Sequence, residues 1–175
     1  EYRRILLKEH PRHLGVLNLA VEKAGWGTSL PPGRGRGVAV HEYRSYVAMV
    51  AEVTVGERGK FSVDRVIIAL DCGIAVNPDI IKAQMEGGMA FGLSDTLASE
   101  LTLDKGAVKQ SNFHDYSVLR MNQMPEIEMY MISSDAEPTG VGELATSVIA
   151  PAVANALAAA TGQRLRTLPL RLSTS

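Results

Sequence analysis

Gly140-Val141-Gly142-Glu143, followed by Leu144-Ala145 and the alanine-rich run 150–160, is the stretch from which the fold is read. Pro138 and Thr139 precede it, so the segment opens as a tight, irregular turn. Behind the turn, Ile149, Val153, Leu157 and Ala160 recur at helical spacing. A helix with one apolar stripe needs a sheet or another helix to cover it. Glu143 is then a single carboxylate on a glycine turn backed by a packed helix, an arrangement that holds a catalytic acid or base still. A solvated loop glutamate is the competing reading of the same four residues.

Working outward, residues 125–132 alternate, with Ile127, Met129 and Met131 against Glu126, Glu128 and Tyr130, and read as a strand. Residues 77–97 read as a helix, with Asn77 as cap and Pro78 at its first position. On it Gln84, Gly87, Gly88 and Phe91 share one face. Each mid-helix glycine costs about 1 kcal/mol relative to alanine. Two things can offset that: close packing of another element, or a cofactor against bare backbone with the Gln84 amide as donor and acceptor.

Three strand-like runs precede this helix: 37–43, 45–55 and 61–70, the last two joined by the turn 56–60 as an antiparallel hairpin. Residues 11–25 read as a first helix, with Pro11 in its first turn and Gly25 at its stop. Residues 26–37 read as a loop. Its Gly33-Arg34-Gly35-Arg36-Gly37 lacks the GxGxxG spacing and leads into a strand, so it is read as a loop with two arginines, not a phosphate cradle. Residues 101–109 suggest a small hairpin around Asp104 to Gly106, residues 151–161 the last helix, and residues 164–170 one more short strand. His41, His114 and Asp115 are read as structural polar residues. The expected class is α+β: one domain, 1–175, with a mostly antiparallel sheet packed against about three helices (11–25, 77–97 and 151–161).

Composition narrows the function. With 46% hydrophobic and 21% charged residues the chain can build a core. A formal net charge of -1 gives no basic surplus for a phosphate backbone, so no nucleic-acid partner is expected. No apolar run approaches the roughly 20 residues of a membrane span. The single cysteine, Cys72, excludes a Cys-ligated iron–sulfur cluster or a four-Cys zinc site within the chain. The chain opens on Glu1 without a signal-like segment, which reads as an excised domain or processed subunit; cytoplasm and periplasm both stay open.

Three stretches, in this order, carry a family resemblance: Asp71-Cys72-Gly73 ahead of Asn77-Pro78, Gln84-Met85-Glu86-Gly87-Gly88, and Gly140-Val141-Gly142-Glu143 with its helix. Residues 33–43, Asn112-Phe113-His114-Asp115-Tyr116, Leu119-Arg120-Met121 and 151–170 extend it over nearly the whole chain. Together they resemble the C-terminal part of the molybdenum-binding large subunit of the xanthine dehydrogenase and aldehyde oxidase family, most of all the branch of the isoquinoline 1-oxidoreductase beta subunit.

The resemblance implies a molybdopterin-binding subdomain of an oxidoreductase that hydroxylates N-heterocycles or oxidises aldehydes using water. It implies that Glu143 is the general base beside the molybdenum and that Gln84 hydrogen-bonds the pterin. Gly87, Gly88, Gly140, Val141 and Gly142 would let the cofactor approach the backbone. The cofactor implied for the full enzyme is molybdopterin, as the cytosine dinucleotide. Its dithiolene holds the metal, so no protein ligand to molybdenum is expected. The partners implied are the remainder of the large subunit, a small iron–sulfur subunit and a small N-heterocycle or aldehyde. Two features depart from the family pattern. Leu144-Ala145 follows the glutamate where many relatives have proline, which leaves the start of the helix open. The family's large subunit is also several times longer, so this chain alone is not expected to bind the cofactor stably or to turn over. A non-catalytic domain kept for assembly or small-molecule binding is the alternative.

Overall fold

The computed structural model describes residues 1–173. The centre is a four-stranded sheet of β1 (Arg34–Tyr43), β2 (Ser45–Val55), β3 (Phe61–Asp71) and β6 (Glu126–Met131), in that spatial order. Three strands run antiparallel in sequence, and β6 joins β3 in parallel. A parallel neighbour requires a crossover. That crossover contains α3 (Pro78–Leu97) and the small hairpin of β4 (Leu103–Asp104) and β5 (Ala107–Val108).

β2 and β3 are apolar on both faces because both faces are covered. Val47, Met49, Ala51 and Val53 point to one side with Val66, Ile68 and Leu70, under α3 and α4 (Thr146–Thr161). Ala48, Val50, Ile67 and Ala69 point to the other, under Val16, Leu17 and Ala20 of α2 (Pro11–Lys23). A short helix, α1 (Tyr2–Leu6), precedes α2 and was not expected. Ile149, Val153 and Leu157 of α4 are fully buried, and each such burial stabilises by about 1.5–3 kcal/mol.

Three expectations need correction. First, β1 begins at Arg34, inside the segment read as loop. The Arg-Gly-Arg-Gly run is a strand with period two. Its arginines face carboxylates, Arg34 on Asp64 at 3.0 Å and Arg36 on Glu52 at 2.8 Å. Its glycines face α4: a Cβ on Gly35 would overlap Ala156 O, and one on Gly37 would overlap Ala156 N and Ala152 O. The glycines let a helix backbone lie on a strand, and the guanidiniums are used internally.

Second, α4 begins at Thr146 and contains Pro151 within it. As the sixth residue of the helix, Pro151 removes the bond an N–H would make to Ser147 O and its ring crowds that carbonyl. The helix ends as expected on Gly162, whose φ of +77° suits glycine. Third, residues 164–170 form no strand. This segment crosses the ends of the helices, where Leu170 N–H donates to Thr96 O at 2.8 Å, and it meets no sheet edge. Asn77 does cap α3, its side-chain oxygen accepting Ile80 N–H at 3.1 Å.

Candidate functional site

The two motif segments meet where α3 crosses the start of α4. Gly92 makes the crossing possible: a Cβ there would overlap Thr146 O and crowd Ile149. One turn earlier, a Cβ on Gly88 would stand 3.4 Å from Ala145 Cβ and Thr146 Oγ1 and 3.7 Å from Gly142 O. The Thr146 hydroxyl donates to Gly88 O at 3.1 Å, and Thr146 N–H donates to Glu143 O at 3.2 Å. These are ordinary van der Waals distances, so Gly88 packs against the start of α4 without the packing requiring glycine there. A Cβ on Gly87 would meet nothing within 4 Å, and the same holds for Gly142.

Leu144 and Ala145 follow the glutamate in the turn that leads into α4. Both are buried, in the core under α3 and α4. With these two turned inward, Glu143 is turned outward and exposed, and among the described residues it makes no ion pair. Gln84 and Gly87 are likewise exposed, one turn or less from Gly88 along α3. The structure therefore brings Gly88, Gly142 and the Glu143 backbone together. It leaves the side chains of Gln84 and Glu143 on the open surface and not in an enclosed hollow. Val141 is half-buried against the core, and the Gly140 backbone lies beside the Arg44 stem, 3.6 Å from where a Cβ would be.

The turn is anchored to the sheet through Asp71-Cys72-Gly73. Gly73 has φ +74°, and a Cβ on it would overlap the carbonyls of Glu137 and Ala136. Thr139 N–H donates to Cys72 O at 2.9 Å, and Ile74 N–H donates to Ala136 O at 2.9 Å. The buried Asp71 carboxylate accepts two bonds from Arg12, at 2.6 and 2.8 Å, and Gly73 N–H at 3.1 Å. The Arg12 bond, chiefly, holds the Asp71 carboxyl below its ordinary value, against the opposing effect of burial. Arg12 also lies over the Tyr46 ring at 4.3 Å. Burial, with Asp71 nearby, pushes the Cys72 thiol up, which disfavours its thiolate.

Ser45, Thr139 and Thr146 were not singled out in the sequence. Each is a common polar residue whose partner lies far away along the chain, so no spacing rule reveals it. Among the described residues, no group of three or more His, Cys, Asp or Glu side chains could hold a metal ion. No helix among them is long and apolar enough to cross a membrane.

Residues 14–125 match the family model of the molybdopterin cofactor-binding domain. This chain belongs to that family. The matched part of the molybdopterin cofactor-binding domain includes Gln84, Gly87 and Gly88; the Glu143 turn lies beyond it. The chain is 40% identical to the isoquinoline 1-oxidoreductase subunit beta of Brevundimonas diminuta over 98% of its own length. It spans only 22% of that relative. Among solved structures it is similar to quinoline 2-oxidoreductase from Pseudomonas putida 86, with TM-score 0.67 and 24% identity over 71% of this chain and 17% of that one, a likeness of fold. It is also similar to the aldehyde oxidoreductase of Desulfovibrio gigas, with TM-score 0.63 and 27% identity over 71% of this chain and 14% of that one.

Proposed function

We propose that residues 1–175 form a single unit, the base-bearing C-terminal portion of a molybdopterin-dependent oxidoreductase. The enzyme hydroxylates an N-heterocycle or oxidises an aldehyde, with oxygen from water. The observation that carries the reading is the Gly88–Gly142–Thr146 contact, which sets the Gln84 helix and the Glu143 turn side by side on one open surface.

The residues present fit the cofactor. Gly87 and Gly142 leave bare backbone facing outward with no internal packing to account for it. Beside them stand an amide that can both donate and accept, and a carboxylate. Gln84 would hold the pterin, Gly87, Gly88, Gly140, Val141 and Gly142 would admit it, and the cytosine dinucleotide is the form proposed. When bound, the molybdenum centre supplies the two-electron oxidation. Glu143 Oε accepts the proton of the attacking oxygen nucleophile. Its carboxylate becomes desolvated when the remainder of the large subunit covers the open surface, which strengthens its pull on that proton. A small iron–sulfur subunit would be the partner that accepts the electrons.

The test is Glu143→Gln in the full-length enzyme. General-base loss predicts a fall in kcat on the order of 10²–10⁴, with molybdenum content intact. A kcat near the parent value overturns the reading. It would favour instead a non-catalytic domain, for which the exposure of Glu143 is the supporting observation.

A further inference from the structure

The Gly140–Glu143 turn is gripped at both ends. At its far end, Thr146 N–H holds Glu143 O. At its near end the partner is Ser45, 95 residues away in sequence. Ser45 is the first residue of β2 and fully buried. It follows Arg44, whose φ of +63° turns the chain back between β1 and β2 with Tyr43 opposite Ser45. A non-glycine residue rarely holds that conformation, so the reversal at this position is set by the paired strands on either side of it.

The protons at Ser45 can be counted. Its hydroxyl lies 2.7 Å from Thr139 Oγ1 and 2.9 Å from Gly140 O. Each hydroxyl carries one proton. The carbonyl of Gly140 can only accept, so Ser45 donates to it. Where Ser45 donates to Gly140 O, Thr139 supplies the proton between the two hydroxyls. Cys72 O, which accepts Thr139 N–H at 2.9 Å, is a second acceptor for the Thr139 hydroxyl at 3.2 Å. Three oxygens thus stand in one hydrogen-bonded row, Thr139 Oγ1, Ser45 Oγ and Gly140 O, rooted in a buried strand end.

We propose that Ser45 is a positioning residue for Glu143: with Thr139 it clamps the Gly140 carbonyl to the sheet and so fixes the turn that presents the carboxylate. This rests on the reading of Glu143 as the base. Gly140 and Gly142 free the turn's backbone to move, and Glu143 has no side-chain anchor of its own among the described residues. Its aim therefore depends on what holds the backbone at either end. A carboxylate displaced by about 1 Å from a reacting atom loses on the order of 100-fold in rate.

The experiment uses the full-length protein that carries this domain, as Ser45→Ala and Thr139→Val, with Thr139→Ser as the variant that restores the hydroxyl. Amide hydrogen exchange over 139–146 is followed in the cofactor-free protein; kcat, KM and molybdenum content are followed in the loaded enzyme. The expected result is exchange over 139–146 faster by about 10-fold or more in Ser45→Ala and Thr139→Val, with protection retained in Thr139→Ser. In the loaded enzyme kcat falls by about 10- to 100-fold while KM and molybdenum content stay near parent values. Unchanged exchange overturns the clamp. So does faster exchange spread evenly over β2 and β3, or a kcat loss matched by loss of molybdenum, since both describe general unfolding. Turnover that survives a parallel Glu143→Gln change overturns the base reading instead, so the two failures are told apart.

Discussion

The Thr146 hydroxyl donates to the Gly88 carbonyl at 3.1 Å, joining the first residue of α4 to the middle of α3. Gly88 and Thr146 are 58 residues apart, and this bond sets the spacing between the helix that carries Gln84 and the turn that carries Glu143. Neighbouring glycines on α3 then have unlike duties, which can be separated by substitution.

Gly92→Ala puts a methyl group against Thr146 O, a backbone atom that cannot swing aside. Overpacking of this kind costs about 1–3 kcal/mol. Gly87→Ala meets open space and gains up to about 1 kcal/mol of helix propensity. Chemical unfolding of both variants checks the difference in sign. The cofactor reading adds that Gly87→Ala lowers molybdenum content in the full-length protein despite its stability. Full content there would leave the open face of Gly87 without the proposed duty.

Gln84 is exposed, so its loss should scarcely touch the fold. Gln84→Ala is expected to shift unfolding free energy by no more than about 0.5 kcal/mol and to reduce bound pterin. Pterin content by fluorescence after release, set beside a melting curve, reads both. Intact pterin content would remove Gln84 from the cofactor contacts.

Gly37→Ala tests how α4 is seated. The new Cβ would overlap Ala156 N and Ala152 O, so helix and strand must part. A loss of about 3 kcal/mol is expected, near the top of the range for overpacking. Asn155→Ala, which removes a 3.1 Å bond to Val38 O, should cost about 1 kcal/mol. Equal effects from the two would contradict the close seating.

The Arg12–Asp71 pair gives a pH dependence with a definite sign. The folded carboxyl titrates below its unfolded value, chiefly through the Arg12 bond. The folded state thus prefers the ionised form, and the pair's stabilisation is complete above the unfolded value of 3.8. It is lost as the pH falls through the lower folded value. Asp71→Asn should remove this acid-side slope and destabilise by about 2–4 kcal/mol at neutral pH, since it leaves Arg12 and a buried amide poorly matched. Stability measured from pH 7 to pH 2 checks both parts. An unaltered slope in the variant would assign the acid sensitivity to other carboxylates, such as Asp64 or Glu128.

Most of the elements were legible along the chain because their signals are local. Strand periodicity over 45–55 and 61–70, the Asn77-Pro78 start and the Gly162 stop each depend on residues within a few positions of one another. Gly35 reads as loop, and the strand is placed no earlier than Gly37, because glycine looks the same in a loop and under a packed helix. Only the alternation with Arg34 and Arg36 hints at the strand. Residues 164–170 read as a strand and form none, because apolar alternation does not say whether a sheet edge is within reach.

By itself the amino-acid sequence determined the α+β class, the principal helices and strands, and the two motifs that contain Gln84 and Glu143. Backbone geometry and side-chain periodicity are written within short windows of residues, so those features need no partner. Which elements touch was decided by the tertiary structure alone: β6 parallel beside β3, α3 against α4 at Gly88 and Gly92, Ser45 beneath Gly140. Such contacts depend on how apolar faces are covered and on hydrogen bonds across 58 to 95 residues, and no short window of sequence contains both ends of them.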